Sequence, residues 1–202
     1  MARPPMEVLV ISSKYDNLMK REPRYFKIIE TSSPKVGMHF GPDNINVNEI
    51  TDGVPFEKKE MEVELRKNYF PNFILSSSCI RIVSPEMKQL MEEYITDKSA
   101  VEFFPIKVVS KEYGDRIHYG LHFTKIYDVL NPDCSWYVYG GEGRSITKPG
   151  IDKAKAEGLH LFNICTSTFG TIISDELRRA INRHKLNLGI SFQELPCEYR
   201  KE

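Results

Sequence analysis

Ile172 to Leu195 reads IISDELRRAINRHKLNLGISFQEL, and an earlier stretch, Ile82 to Ile106, follows the same grammar as IVSPEMKQLMEEYITDKSAVEFFPI. Each opens on two β-branched residues, then Ser, an acid-containing turn, an apolar stripe and a closing run that holds Phe. Ser84 and Ser174 stand where a helix N-cap is needed, able to accept a hydrogen bond from an orphan N–H of the first turn. Pro85 suits the first helical position through its fixed φ, and Glu86, Asp175 and Glu176 set negative charge against the positive end of the dipole. Met87, Leu90, Met91, Tyr94 and Ile95 recur at helical spacing, as do Leu177, Ala180, Ile181 and His184, so each helix has one face to bury. Val101 and Phe103 then match Ile190 and Phe192 as the start of a returning strand. The pattern predicts two similar strand-helix-strand units, about 79–108 and 169–195, within one compact α+β domain with mixed or antiparallel sheets. Two copies are too few for a solenoid. Parallel or antiparallel pairing within a unit stays open at this point.

At 202 residues the chain fits one domain, 1–202, divisible into lobes of about 1–110 and 111–202, with room for a substantial core. Hydrophobic residues make up 41% and charged ones 28%, a balance that argues against a disordered or fibrous chain. Lys plus Arg equals Asp plus Glu at 28 each, so the basic excess of a general nucleic-acid binder is missing. Near the start only Val8 to Ile11 is uninterrupted apolar sequence, too short for a signal-peptide core or a membrane span. The expectation is a cytoplasmic protein with no membrane or nucleic-acid partner. Cys79, Cys134, Cys165 and Cys197 show no C-x-x-C spacing; they signal neither zinc nor a disulfide framework and read as buried free thiols.

Along the chain, Glu7 to Ser12 and Phe26 to Ile29 are strand candidates, and the breaker-rich segment from Thr31 to Phe56 predicts irregular connections without a helix. Glu60 to Arg66 alternates Met61, Val63 and Leu65 with charged residues, which is the period of a strand with one wet face. Pro71 brings the segment from Asn68 to Ser78 into the first unit in extended form. His118 to Tyr139, rich in aromatic and β-branched residues and broken by Asn131-Pro132-Asp133, reads as a β-hairpin or meander pair. Gly140 to Gly158 reads as a long loop with a short helix near Asp152 to Glu157. His160 to Ile164 leads into the second unit, and Pro196 to Glu202 is a charged tail.

No catalytic constellation emerges. His118 and His122 fall on one face of a strand and lack the intervening Glu of a helical zinc pair. His39, His160 and His184 have no carboxylate or Cys at a ligand-like spacing. Gly140 to Arg144 could cradle an anion, but the Gly-Lys-Ser/Thr ending of a phosphate loop is missing and a flexible turn explains the glycines. A small hydrolase or ligand-binding enzyme using that loop with His118 or His122 is the alternative reading. Ser76, Ser77 and Ser78 lack a nucleophile elbow. What does stand out is charge: Arg178, Arg179 and Arg183 with Lys185 make the second helix basic, whereas Lys88, Gln89, Glu92 and Glu93 leave the first one mixed. Such a face is either solvated or a docking patch for an acidic partner.

Ser12-Ser13-Lys14-Tyr15-Asp16, Phe70-Pro71-Asn72-Phe73, Ile82-Val83-Ser84 with its helix, Tyr119 to Leu130, His160-Leu161-Phe162, Ile173-Ser174-Asp175-Glu176-Leu177 and Gly189-Ile190-Ser191-Phe192 follow one another along the chain. In that order they resemble the bacterial polymorphic-toxin immunity proteins grouped as immunity family eleven, nearly end to end. The family pattern often has Asp where this chain has Asn72. The resemblance implies a cytoplasmic antidote that binds and neutralises a cognate protein toxin, with no enzyme activity and no cofactor, free as a monomer or homodimer. Arg178, Arg179 and Arg183 are the candidate partner-binding residues.

Overall fold

Both predicted units form, and they form alike. The computed structural model describes residues 22–30, 36–37, 52–54, 61–65, 69–75, 81–140, 143–164 and 170–200. Among these residues the first half of the chain gives strands β1 (Tyr25–Glu30), β2 (Val36–Gly37), β3 (Met61–Leu65), β4 (Phe73–Leu75) and β5 (Arg81–Val83), then helix α1 (Pro85–Tyr94). Strands β6 (Val101–Val109), β7 (Arg116–Phe123), β8 (Trp136–Gly140), β9 (Gly143–Lys148), β10 (Ile151–Asp152), β11 (Leu161–Phe162) and β12 (Ile172–Ser174) follow. Helix α2 (Asp175–Arg183) and strands β13 (Ile190–Glu194) and β14 (Cys197–Glu198) complete the order.

Within a unit the two strands run parallel but do not touch, because an antiparallel strand lies between them. Between β5 and β6 it is β7; between β12 and β13 it is β1. Outside β5 lies β4 and outside β12 lies β11, again antiparallel. The sequences β4-β5-β7-β6 and β11-β12-β1-β13 therefore have the same order and directions, although the inserted strand follows the first unit and precedes the second. The match extends to register: Val83 faces Tyr119 as Ile173 faces Phe26, and Phe103 faces Leu121 as Phe192 faces Ile28. The first sheet continues beyond β6 through β3, parallel to it, to β2.

The caps are equivalent too. Ser84 Oγ accepts from Met87 N and Ser174 Oγ from Leu177 N, each at 3.2 Å, from extended backbone with ψ of 161° and 162°. Each cap's own N–H bonds the residue that precedes the outer strand, Asn72 O or His160 O, at 3.0 Å. Strand alternation sends Val83, Leu121 and Phe123 from one sheet and Phe26, Ile28 and Ile173 from the other into a single cluster with Met87, Met91, Leu177 and Ile181. There α1 packs against α2, so burying the two helical stripes joins the units. The opposite sheet faces carry separate cores: Ile82, Phe104, Ile106 and Met61 behind the first, Tyr25, Phe162, Ile172 and Val129 behind the second. Gly120 is fixed by the first of these, since a Cβ there would sit 2.2 Å from the Phe104 ring.

Met61, Val63 and Leu65 are buried in alternation, as period two requires. Three expectations fail. His118 to Tyr139 is not a hairpin: β7 has β5 and β6 on its two edges, leaving none for β8, which pairs with β9. The break between them is a 3₁₀ turn, Pro132–Cys134, capped by the Asn131 side chain. Gly140 to Gly158 is not a long loop with a helix, since it holds β9 and β10, and 153–158 is a turn. Its single helix-like bond, Ala156 N to Asp152 O, is not propagated and Gly158 leaves it at φ +76°. The charged tail also contains β14, paired in parallel with β10. The strand expected at 7–12, His39, Cys79, Cys165, the serines at 76–78 and most of 31–56 lie outside the described residues.

Candidate functional site

Helix α2 presents the three candidate arginines, and the structure gives them different tasks. Asp175, at the first helical position, accepts from Arg178 Nε and Nη2 at 2.9 and 2.6 Å through Oδ1, and its Oδ2 lies 2.5 Å from Arg179 Nη2. Arg178 is half-buried, its guanidinium 4.6 Å from the centroid of the Phe26 ring. Arg24 stands 5.4 Å from the same centroid and makes a two-pronged bond to Glu194 at 2.7 Å per prong. Arg183, in the last turn, is exposed and makes no ion pair among the described residues; its charge complements the negative end of the helix. Arg178 is therefore mainly committed to the fold, while Arg179 and Arg183 present charge to solvent. Position 88 on α1 repeats the Arg178 arrangement with Lys88, whose ammonium is 5.1 Å from the Tyr119 ring and 5.5 Å from Phe103.

The histidines of β7 do not meet. Four residues on one strand face separate them by about 13 Å. His122 pairs with its direct cross-strand neighbour, Nδ1 lying 2.8 Å from Glu102 Oε1. His118 is buried and stacked on Phe70, centroids 5.7 Å apart, with neither ring nitrogen in hydrogen-bond geometry to any of the described residues. Burial pushes its pKa down, against the pull of Glu86 and the Pro71 carbonyl and with a small push from Arg116. Gly140 and Gly143 close the β8–β9 hairpin opposite each other, so those glycines serve a tight connection.

Spacing alone missed a contact at the second cap. His160 Nδ1 is 2.9 Å from Ser174 Oγ and 3.6 Å from Glu176 Oε2. A serine, a histidine and an acid are thus assembled, but both oxygens approach the same ring nitrogen, and Ser174 is occupied as a helix cap. A nucleophilic triad needs them on opposite nitrogens. Cys134 and Cys197 are free but half-buried rather than buried. Burial raises both thiol pKa values, that of Cys197 to about 12, which keeps it in the unreactive thiol form.

Also unseen in the sequence is a groove of about 460 Å³ bounded by Arg24, Lys148, Lys153, Glu194 and Cys197. Its walls come from segments far apart in the chain, so no local pattern could reveal it. The one available signal was Trp136, the lone tryptophan, which the aromatic richness of its surroundings hid. Among the described residues no helix is long and apolar enough to cross a membrane. Compared with known families, residues 11–196 match the family described as Immunity protein family (Imm11). No curated protein gives a significant match.

Proposed function

We propose, from the premise that this chain belongs to the Imm11 immunity protein family, that it binds one cognate protein toxin in the cytoplasm and silences it stoichiometrically, without chemistry of its own. The family match across 11–196 carries this reading. The commitments of His118, His122 and Ser174 to packing, a cross-strand pair and a cap agree with a binding role. Silencing by contact means covering the toxin's catalytic cleft or holding an inactive conformation, and a few buried anchors usually supply most of such an affinity. Arg179 and Arg183, with Arg178 fixed behind them by Asp175, are the assigned electrostatic contacts. Surface charge of this kind chiefly raises the association rate.

The test is co-expression of this chain with the toxin region encoded beside it. Wild type should restore growth, and the double variant Arg179→Ala/Arg183→Ala should associate about tenfold more slowly at low salt, the gap closing as salt screens the charges. Unchanged kinetics would reduce the α2 face to a solvated surface. Growth arrest despite wild-type protein would end the immunity reading itself.

A further inference from the structure

Exposed aromatic side chains on a well-packed protein ask for a reason, because each would gain free energy by being covered. Trp136 and Tyr199 are 62% and 66% exposed. They lie in different elements, one in β8 and one just after β14, yet each is capped by a lysine of the same groove. Lys148 Nζ is 4.9 Å from the Trp136 ring and Lys153 Nζ 5.4 Å from the Tyr199 ring. Trp136 faces Lys148 across the hairpin, and the register slips between Trp136 and Tyr137, the kind of irregularity that re-aims a side chain.

The groove's charges are unevenly committed. Lys153 holds Glu22 at 2.8 Å and Arg24 holds Glu194, whereas Lys148 makes no ion pair among the described residues and only lies close enough to Glu194 to depress its carboxyl slightly further. Among the described residues, Lys148 is the groove's cation left to be matched. Arg24, which borders the groove, and Arg178 of α2 lie against the same Phe26 ring.

We infer that this groove is where the toxin docks, receiving an extended segment in which a carboxylate meets Lys148 and an adjacent apolar side chain packs on Trp136 and Tyr199. Tryptophan and tyrosine are the residue types that most often anchor interfaces, and a lysine laid over each ring keeps it positioned for a partner carrying negative charge. The inference rests on the immunity reading and deepens it.

The probe is the adjacent toxin region, purified by unfolding its complex with the full chain and refolding it alone. Because Trp136 is the chain's single tryptophan, a difference spectrum reports on the ring that Lys148 covers at the groove's edge. Toxin should shift Trp136 emission to the blue. Trp136→Ala and Tyr199→Ala should each weaken binding at least about 30-fold without lowering the melting temperature, and Lys148→Glu should weaken it further at low salt than at high. Tyr113→Ala, at an aromatic 50% exposed in the β6–β7 turn, should stay within about twofold.

Wild-type binding that both aromatic variants keep within twofold would overturn the groove while leaving the immunity reading intact. No binding by wild type would overturn both. A dimer seen by light scattering and dissolved by Trp136→Ala would assign the groove to a second copy. Emission already that of a covered indole, and unmoved by toxin, would assign it to another part of this chain. Either result overturns the proposed occupant.

Discussion

The unit built on β5, α1 and β6 and the unit built on β12, α2 and β13 share strand order, register and caps, yet at matched positions they solve the same problem in opposite ways. Arg81 occupies the place that Thr171 holds in the second unit, ninety positions on. Arg81 is 6% exposed and ion-paired with Asp52, 1% exposed, whose carboxylate also accepts from Phe123 N and Asn163 Nδ2. Thr171 is as deeply buried and its hydroxyl has no partner among the described residues. Similarly, Tyr25 faces the Ser174 cap and His118 holds the matching place, one residue before the Tyr119 that faces Val83; Tyr25 Oη donates to Ala156 O at 2.5 Å, while the His118 nitrogens have no partner among the described residues. Positions that agree between the units are those the fold demands. Positions that differ show where each unit was fitted to its surroundings, and Asn163, which lies just after β11, makes the Arg81–Asp52 cluster a bond between the units.

The largest break in the comparison is expected there. Arg81→Ala leaves the Asp52 carboxylate buried without its counter-charge, a loss of about 3–5 kcal/mol, large beside a total of about 5–15. Thr171→Val at the matched site removes a buried hydroxyl that has no partner among the described residues, so stability should hold or rise by about 1 kcal/mol. Urea unfolding of the two variants checks both signs. Equal losses would mean that the cluster contributes nothing special to the first unit.

How much of this was readable beforehand follows from which interactions are local. The caps, helix faces and returning strands were legible because their partners lie within four residues: Ser84 reaches Met87, and Leu177 shares a face with Ala180 and Ile181. Pairing order was not, since nothing in Phe26 says that it will lie between Ile173 and Glu194, strands more than 140 positions away. The hairpin expected at 118–139 failed for that reason, as β6 and β5 had already taken both edges of β7. The arginines of α2 were rightly placed on one helix, but Asp175, which pairs with Arg178 and Arg179, and Phe26, which holds Arg178 inward, count for little in a charge tally. The groove lined by Arg24, Lys148 and Lys153 is wholly a product of tertiary placement.

A smaller and deliberately symmetrical test uses the caps. Ser84→Ala and Ser174→Ala should each cost about 1 kcal/mol, because each leaves one first-turn N–H without its acceptor. The two hydroxyls also serve different third parties, Ser84 donating to Asn72 Oδ1 at 3.0 Å and Ser174 meeting the His160 ring. Chemical denaturation that gives matching losses would confirm that the cap dominates at both sites; a gap of more than about 1 kcal/mol would show that the third party, not the helix, sets the value.

The smallest effect sharpens the His118–Tyr25 contrast through pH. Burial holds the His118 pKa below the ordinary 6.5, while burial moves the Tyr25 hydroxyl further above its ordinary 10.0. As pH falls through 6.5 the unfolded chain takes up a proton at His118 that the folded chain refuses. Stability must then decline with falling pH until the lowered folded value is reached, where this slope ends. Tyr25 is neutral in both states across that window and contributes nothing. Glu86, the carboxylate that pulls on His118, is held below the usual range first by its own backbone N–H and then by Ser84, so its part of the acid loss begins only near 4.5. Urea midpoints at pH 7.5 and 5.0 should therefore converge in His118→Phe, which keeps the stack on Phe70. Tyr25→Phe should lose its hydrogen bond equally at both pH values and retain the wild-type difference between them. If His118→Phe kept the full wild-type difference, the imidazole would have to find a proton acceptor in the fold, and the two matched positions would be alike after all.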